Sequence, residues 1–270
     1  MKKYYLKLNA LAAVVLLATN AFAGFNTFVQ LIHNSPDPLA ANVDIWYDGG
    51  NGQQLFEADF TYLDATTYKQ TNTPTQLKFY VKPSGSSIST PALDSFDVGV
   101  LTTQYTQFIV SGVVGSGYAA NPNSLSTAIA FNRLNNARTV GANPPLVDVI
   151  AFHGVTDAPG IDVRVRSGGP LLVNNLKYGS YSPAYLQVPA SWYQLEVIVE
   201  DSSSVINTWI ANTTALGGQS ATIFASGFAT PANNNNGPAL GLYAALANGT
   251  VVALPVRRTA NVQLVHNSAD

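Results

Sequence analysis

The sequence predicts an all-β protein made of tandem immunoglobulin-like antiparallel β-sandwiches. Short runs of β-branched and aromatic residues alternate with turn formers, the chain shows no sustained helical periodicity, and one motif recurs along it. The turn signals recur at roughly the 8 to 12 residue spacing that is typical of all-β domains. A β-barrel is the rival fold, but a repeat of about 115 residues suits a sandwich better than a small barrel.

The recurring motif is a strand that ends in a histidine. VQLIHNSPD at 29–37 is nearly repeated by NVQLVHNSAD at 261–270 and loosely repeated by VIAFHGVTD at 149–157. The three histidines of the chain all occupy this position, and each is followed four residues later by an aspartate: His33 and Asp37, His153 and Asp157, His266 and Asp270. The spacing gives repeat lengths of 120 and 113 residues.

The first copy begins with a strand at 28–33 that is largely apolar on both faces, as expected for a strand between two layers. Turn formers at 34–38 end this strand. An alternating strand at 42–47 then leads into the glycine-rich hairpin at 48–52. Further strands are predicted at 77–81, 96–100, 105–110 and 127–131.

The second copy follows the same order. The strand at 147–153 matches the first strand, and 161–166 matches 43–47, with Asp162 in the place of Asp44. Later matches pair Tyr178 and Tyr185 with Tyr62 and Tyr68, 195–199 with 77–81, and 223–227 with 108–112.

These matches predict four segments: a signal peptide at 1–23, a first sandwich at 24–142, a second at 143–256, and a linker with the first strand of a third copy at 257–270. Adjacent prolines, Pro144 and Pro145, predict a stiff linker with a restricted angle between the sandwiches. A lone third strand cannot bury itself. The sequence is therefore interpreted as a piece of a longer array, with docking of this strand on another surface as the alternative.

The N-terminus has the features of a secretory signal peptide. Three lysines precede an apolar run at 10–18, and Ala21 and Ala23 are spaced as a cleavage site requires. The alternative, a transmembrane anchor, is disfavoured because the run is about half of the roughly 20 residues that span a bilayer. We expect export to the cell surface or the extracellular space, with the periplasm as an alternative, and no membrane-spanning segment.

Charge and cysteine content exclude several classes of protein. Removal of 1–23 takes three lysines and no acidic residue, which leaves ten basic and fifteen acidic residues and a net charge of −5. The basic residues form no stripe, so nucleic acid is not an expected partner. Because the chain has no cysteine, its stability must come from core burial and not from disulfides.

Three stretches carry a resemblance to a known family: HNSPD followed by VDIWYDG, HGVTDAPGIDVRVRSGG, and LKYGSYSPAYLQVPASWYQLEV. With these motifs, residues 27–256 resemble two copies of the domain of unknown function 4397 family. The resemblance implies an exported or surface-attached bacterial module with an immunoglobulin-like fold, often in tandem, and it implies no activity. This chain departs from the family pattern at 154–156, at Ser191 and at Tyr62-Leu63.

One set of residues is worth testing for chemistry: His33, Asp37 and Asp44, with their counterparts His153, Asp157 and Asp162. A histidine with two carboxylates could form a metal site or a proton-transfer pair. The favoured interpretation is structural, with the aspartates accepting backbone N–H groups and the histidine bonded to a carbonyl or an aspartate. Repetition in every copy supports it, because folding needs the motif in each domain. No cofactor is expected, although calcium at Asp37 and Asp44 stays an alternative.

Aromatic residues offer a second candidate site. Trp46, Tyr178, Tyr181 and Trp192 could line a sugar-binding face, but such residues more often pack in sandwich cores. No nucleophile arrangement is visible, so an enzyme is not expected. We expect a non-catalytic surface or extracellular module with a spacer, adhesion or matrix role. A carbohydrate-binding module is the alternative. The expected partners are surface glycans, other cell-surface proteins and further copies of the same repeat.

Overall fold

The computed structural model describes residues 27–71 and 76–258. It confirms the predicted all-β class, since these residues form seventeen strands and two short 3-10 helices. The signal peptide predicted at 1–23 and the motif of the third copy at 261–270 lie outside the described residues. In the described part of the chain, no helix is long and apolar enough to span a membrane.

Residues 27–135, called the first half below, form two four-stranded sheets with the orders β4-β1-β7-β8 and β3-β2-β5-β6. A 3-10 helix at Pro38–Ala40 follows the first strand. The strands are β1 (Thr27–Asn34), β2 (Asn42–Asp48), β3 (Gln54–Thr61), β4 (Lys69–Thr71), β5 (Leu77–Pro83), β6 (Asp94–Gly99), β7 (Tyr105–Ser111) and β8 (Ala130–Asn135).

Residues 146–254, called the second half, have the orders β12-β9-β15-β16-β17 and β11-β10-β13-β14, which match the first half apart from the added β17. Its 3-10 helix lies at Pro231–Asn233. The strands are β9 (Leu146–His153), β10 (Ile161–Val165), β11 (Leu171–Leu176), β12 (Leu186–Pro189), β13 (Trp192–Val199), β14 (Val205–Asn212), β15 (Ser220–Ser226), β16 (Gly241–Leu246) and β17 (Val251–Leu254).

Two of the described strand pairs, β1 with β7 and β9 with β15, are parallel. The other named pairs are antiparallel, as predicted. Parallel neighbours need a long connection, because a tight turn can join only antiparallel strands. Here the chain passes through the opposite sheet before it returns, and this route provides the required length.

Aromatic rings fill the space between the two sheets of the first half. The ring centroid of Phe79 lies 5.5 Å from that of Phe108 and 5.0 Å from that of Phe131. Phe56 and Phe96 extend the cluster, at 5.8 Å from Phe79 and 4.9 Å from Phe131. Aromatic rings at these separations attract one another beyond the free energy that their burial provides.

The two halves pack face to face through the sheets that contain β1 and β9. Ile32 and Ile109 from the first half and Phe152 and Phe224 from the second form one buried cluster, each with at most 1% exposure. The chain is thus four sheets deep in the order outer, inner, inner, outer. This packing explains the two apolar faces of the first strand, because Leu31 faces its own sandwich while Ile32 faces the other half.

Buried polar side chains also join the halves. Gln30 Nε2 donates to Leu246 O at 2.9 Å, and Gln107 Nε2 donates to Gln30 Oε1 at 2.8 Å. Thr222 Oγ1 completes the chain by donating to Gln107 Oε1 at 2.9 Å. A buried amide left without such partners would cost free energy, so this network favours one arrangement of the halves.

We predict that Phe152→Ala lowers the free energy of unfolding by about 3 to 5 kcal/mol, because it opens a cavity in the contact between the halves. Denaturant midpoints of the variant and the parent chain measure the change. Val140→Ala is the control, since Val140 is 66% exposed and its truncation should change stability by less than about 0.5 kcal/mol. A loss below about 1 kcal/mol for Phe152→Ala would show that this contact contributes little.

Candidate functional site

The two histidines of the described chain make the same pair of hydrogen bonds. His33 Nε2 lies 2.7 Å from Ala40 O, and its Nδ1 accepts the Ser35 N–H at 3.3 Å. His153 Nε2 lies 2.9 Å from Pro159 O, and its Nδ1 accepts the Val155 N–H at 3.3 Å. Because each Nδ1 accepts a hydrogen bond, it is the unprotonated nitrogen of a neutral imidazole, so each Nε2 carries the hydrogen and donates a hydrogen bond to the carbonyl.

Burial keeps both imidazoles neutral. His33 and His153 are each 1% exposed, and desolvation lowers the pKa of each to about 4. The backbone carbonyl at each Nε2 favours the charged form but only partly offsets this effect. Both histidines therefore hold the turn after a central strand as neutral donor-acceptor groups.

Asp37 and Asp157 hold a second loop in each half. Asp37 accepts the N–H groups of Val114 and Gly115, both at 2.7 Å. Asp157 accepts the N–H groups of Ala229 and Thr230, both at 2.8 Å. In each half the aspartate thus joins the turn after the first strand to the loop after the parallel strand, β7 or β15. Hydrogen bonds from the backbone lower the pKa of Asp37 in spite of its burial.

Asp44 and Asp162 each accept a backbone N–H from an irregular position in the neighbouring strand, β3 or β11. Asp44 Oδ1 accepts the N–H of Asp59 at 3.0 Å, and Asp162 Oδ1 accepts that of Asn175 at 2.7 Å. Both donors have positive φ, 49° for Asp59 and 55° for Asn175, a conformation that Asp and Asn tolerate better than most residues. The second oxygen of Asp44 accepts the N–H of Ser86 at 2.8 Å.

The six candidate residues thus bind backbone groups at separate points of each half. Within residues 27–71 and 76–258, no group of three or more His, Cys, Asp or Glu side chains is placed to hold a metal ion. The arrangement can fix loops, and it leaves each carboxylate and imidazole bonded to the chain itself.

The sequence analysis missed two serines that connect each histidine turn to the opposite half. Tyr62 Oη lies 2.7 Å from Ser226 Oγ, while Tyr178 is bonded to Ser111 in the reciprocal position. Burial raises the pKa of both tyrosines to about 12. Each tyrosine ring stands edge-on to the histidine of its own half. The repeated Ser-Gly at 111–112 and 226–227 was the available signal.

The four candidate aromatic residues do not form one exposed face. Tyr178 is only 7% exposed, and Tyr181 packs in the contact between the halves with its ring 4.8 Å from that of Phe152. Trp46 is half-buried, with Lys82 Nζ 4.8 Å from its ring centroid. Trp192 differs, since it is 64% exposed. Tyr178 and Tyr181 therefore do not face solvent as a sugar-binding role would require.

The chain matches no protein-family model and no curated protein. It is similar to a family 41 carbohydrate-binding module from streptococcal virulence factors, described for α-glucan recognition, with 10% identity over 73% of this chain and 92% of that chain. It is also similar to a fimbrial assembly protein from Parabacteroides distasonis, with 10% identity over 85% and 98%. Both TM-scores are 0.22, too low to support an argument about function. The resemblance to the domain of unknown function 4397 family stays a prediction.

We predict that the chain loses stability as the pH falls from about 6.5 to about 4. In this window the unfolded chain binds a proton at each histidine that the folded chain does not bind, so each buried histidine costs up to about 3 kcal/mol. His153→Gln should be less stable at pH 7 but should show a shallower dependence on pH. Urea unfolding at pH 7 and pH 4.5 measures both effects. If the free energy of unfolding fell by the same amount between these pH values in the variant and in the parent, the account would be contradicted.

We predict that Asp37→Ala lowers the free energy of unfolding by about 3 kcal/mol, because it leaves the N–H groups of Val114 and Gly115 without their charged acceptor. Thermal unfolding is measured with calcium, with zinc and after chelation. Asp94→Ala is the control, since Asp94 is exposed and its carboxylate accepts the N–H of the adjacent Ser95. The account expects no response to metal. A midpoint that chelation lowers in the parent but not in Asp37→Ala would restore the metal interpretation.

Proposed function

We propose that this chain is an exported, non-catalytic bacterial module that acts at the cell surface or outside the cell in a spacer, adhesion or matrix role. The observation that carries the proposal is the use of the His/Asp motif. In both halves the side chains best suited to chemistry are bonded to the backbone. Such a motif supports the fold and offers no free base, nucleophile or metal ligand.

The environment of the candidate base and nucleophile supports a non-catalytic role. A general base near neutral pH needs access to substrate and a pKa close to the working pH. His33 has neither, since it is 1% exposed and its pKa is about 4. Ser35, the nearest hydroxyl in sequence, is fully buried and donates to Gly112 O at 2.7 Å.

The contact between the halves supports a spacer or matrix role. Two sandwiches that shared only a linker would move independently, whereas these share a buried apolar cluster and a polar network. Side-chain bonds at the edge add to the contact, since Asn121 Nδ2 donates to Thr156 O at 2.8 Å and to Ala158 O at 3.1 Å. A block of this kind can transmit force or hold a binding face at a fixed distance.

Carbohydrate recognition, the alternative, has less support. Modules that bind sugars stack rings on exposed aromatic faces and add hydrogen bonds to hydroxyl groups. Of the four aromatic residues considered, Trp192 alone is largely exposed, and it has no exposed partner among the other three. A single indole is a weak platform for a glycan.

Export is tested by expressing the full chain in a bacterial host. We predict that the mature protein begins at Gly24, and that protease added to intact cells, or fractionation of the medium, finds it outside the cytoplasm. The matched control carries Val15→Arg and Leu16→Arg, which place charge in the apolar run and should keep the chain inside with Met1 retained. A parent chain that also keeps Met1 and stays in the cytoplasm would overturn the proposal.

A further inference from the structure

The second half contains open apolar space between its sheets. A cleft of about 270 Å³ lies beside Trp192, and two smaller spaces of about 50 and 40 Å³ lie in the same sandwich. Val149 and Ile223 line all three spaces, so these are neighbours along the inner face of β9 and β15.

Smaller side chains at matching positions create this space. The matching strand orders and registers place Ile223 where the first half has Phe108, and Ala151 where it has Leu31. Phe108 and Leu31 are both 0% exposed, whereas Ile223 and Ala151 are only partly buried. Large side chains therefore fill the space between the sheets of the first half, whereas the corresponding space in the second half stays open.

In the first half, an arginine closes the end of the sandwich that corresponds to the cleft of the second half. Arg133 pairs with Phe108 across β7 and β8, and its guanidinium donates to Val98 O at 3.1 Å and to Val100 O at 3.3 Å. It thus connects one sheet to the end of the other. In the second half, Ala244 pairs with Ile223 at the same register and lines the cleft. An alanine cannot reach the opposite sheet, so this end stays open.

The lining specifies the chemistry of a ligand. Among the residues that the structure describes, none that lines the three spaces is charged. Two polar side chains in the main cleft are already bonded, since Asn212 Oδ1 accepts from Thr214 Oγ1 at 2.7 Å and Thr213 Oγ1 donates to Ser191 O at 2.9 Å. A sugar would find few partners for its hydroxyl groups here, whereas a hydrocarbon requires none.

We propose that the cleft binds an unbranched aliphatic chain of about ten carbons, acyl or alkyl, with its polar end in solvent beside Trp192. The length follows from volume, because an apolar cavity of about 150 Å³ accommodates benzene and the main cleft holds about 270 Å³. The two neighbouring spaces, of about 50 and 40 Å³, are too small for a ring, which favours a linear chain. This site goes beyond the surface role proposed above and does not depend on it.

The test is calorimetric titration of the full chain with 1-octanol, 1-decanol, sodium decanoate and maltotriose. Trp192 fluorescence, followed against a Trp192→Phe blank, gives a second readout at the mouth of the cleft. We expect saturable binding of 1-decanol, affinity that rises about fourfold for each added CH₂ up to decanol, and no binding of maltotriose. The uncharged lining predicts that decanol binds at least as tightly as decanoate, which distinguishes a neutral chain from a fatty acid.

Two variants add bulk to the lining of the cleft. Ile223→Phe and Ala244→Leu fill the cleft, so each should weaken decanol binding at least tenfold without lowering the thermal midpoint. Val205→Leu is the control and should bind as the parent does, since Val205 is exposed and lies outside the lining.

The proposal would be overturned by no saturable decanol binding, by unchanged affinity in both filling variants, or by tighter binding of maltotriose than of decanol. Binding that appears only after residues 259–270 are deleted would also overturn it. That result would identify the cleft as a binding site for the chain's own C-terminal segment.

Discussion

The buried apolar contact between the two inner sheets is the constraint on which the rest of the structure depends. Ile32 and Ile109 meet Phe152 and Phe224 there, and all four are almost fully buried. Because of this contact, β1 and β9 are covered on both faces, on one by the core of their own half and on the other by the opposite half. The histidine turns follow these strands. Each imidazole is buried against its own half, as His33 is beside Phe60 and His153 beside Tyr178, and this burial lowers both histidine pKa values. The packing of the halves places Tyr62 and Tyr178 within reach of serines from the opposite half.

Local sequence pattern predicted the elements whose cause is local. The all-β class, the strand that ends in His33 and the aspartates that accept backbone N–H groups all follow from alternation and turn chemistry. β3 was not predicted, because two register irregularities in its pairing with β2 break the alternation. The parallel pairing of β1 with β7 was also missed, since no local signal encodes a contact between residues more than seventy positions apart.

The candidate sites show a similar limit. The sequence located the His/Asp motif, but it could not decide between metal binding and a structural turn until the partners of His33 and Asp37 were seen. Nor could it separate buried from exposed aromatic residues, and so Tyr178 and Trp192 looked alike. Matching the halves reveals that Ala244 replaces Arg133, but only the packing shows that, within residues 27–71 and 76–258, no other side chain takes the place of that arginine. The division into tandem copies with the stated boundaries stays a prediction.

The most direct test of the account is whether the halves unfold together. Two variants are needed, one that keeps Trp46 as its only tryptophan and one that keeps only Trp209, which report on the first and second halves respectively. Urea unfolding followed by fluorescence should give the same midpoint and slope in both, because exposing the shared contact destabilises each half. Midpoints that differ by more than the separately measured effects of the tryptophan substitutions would contradict the account and show two independent sandwiches.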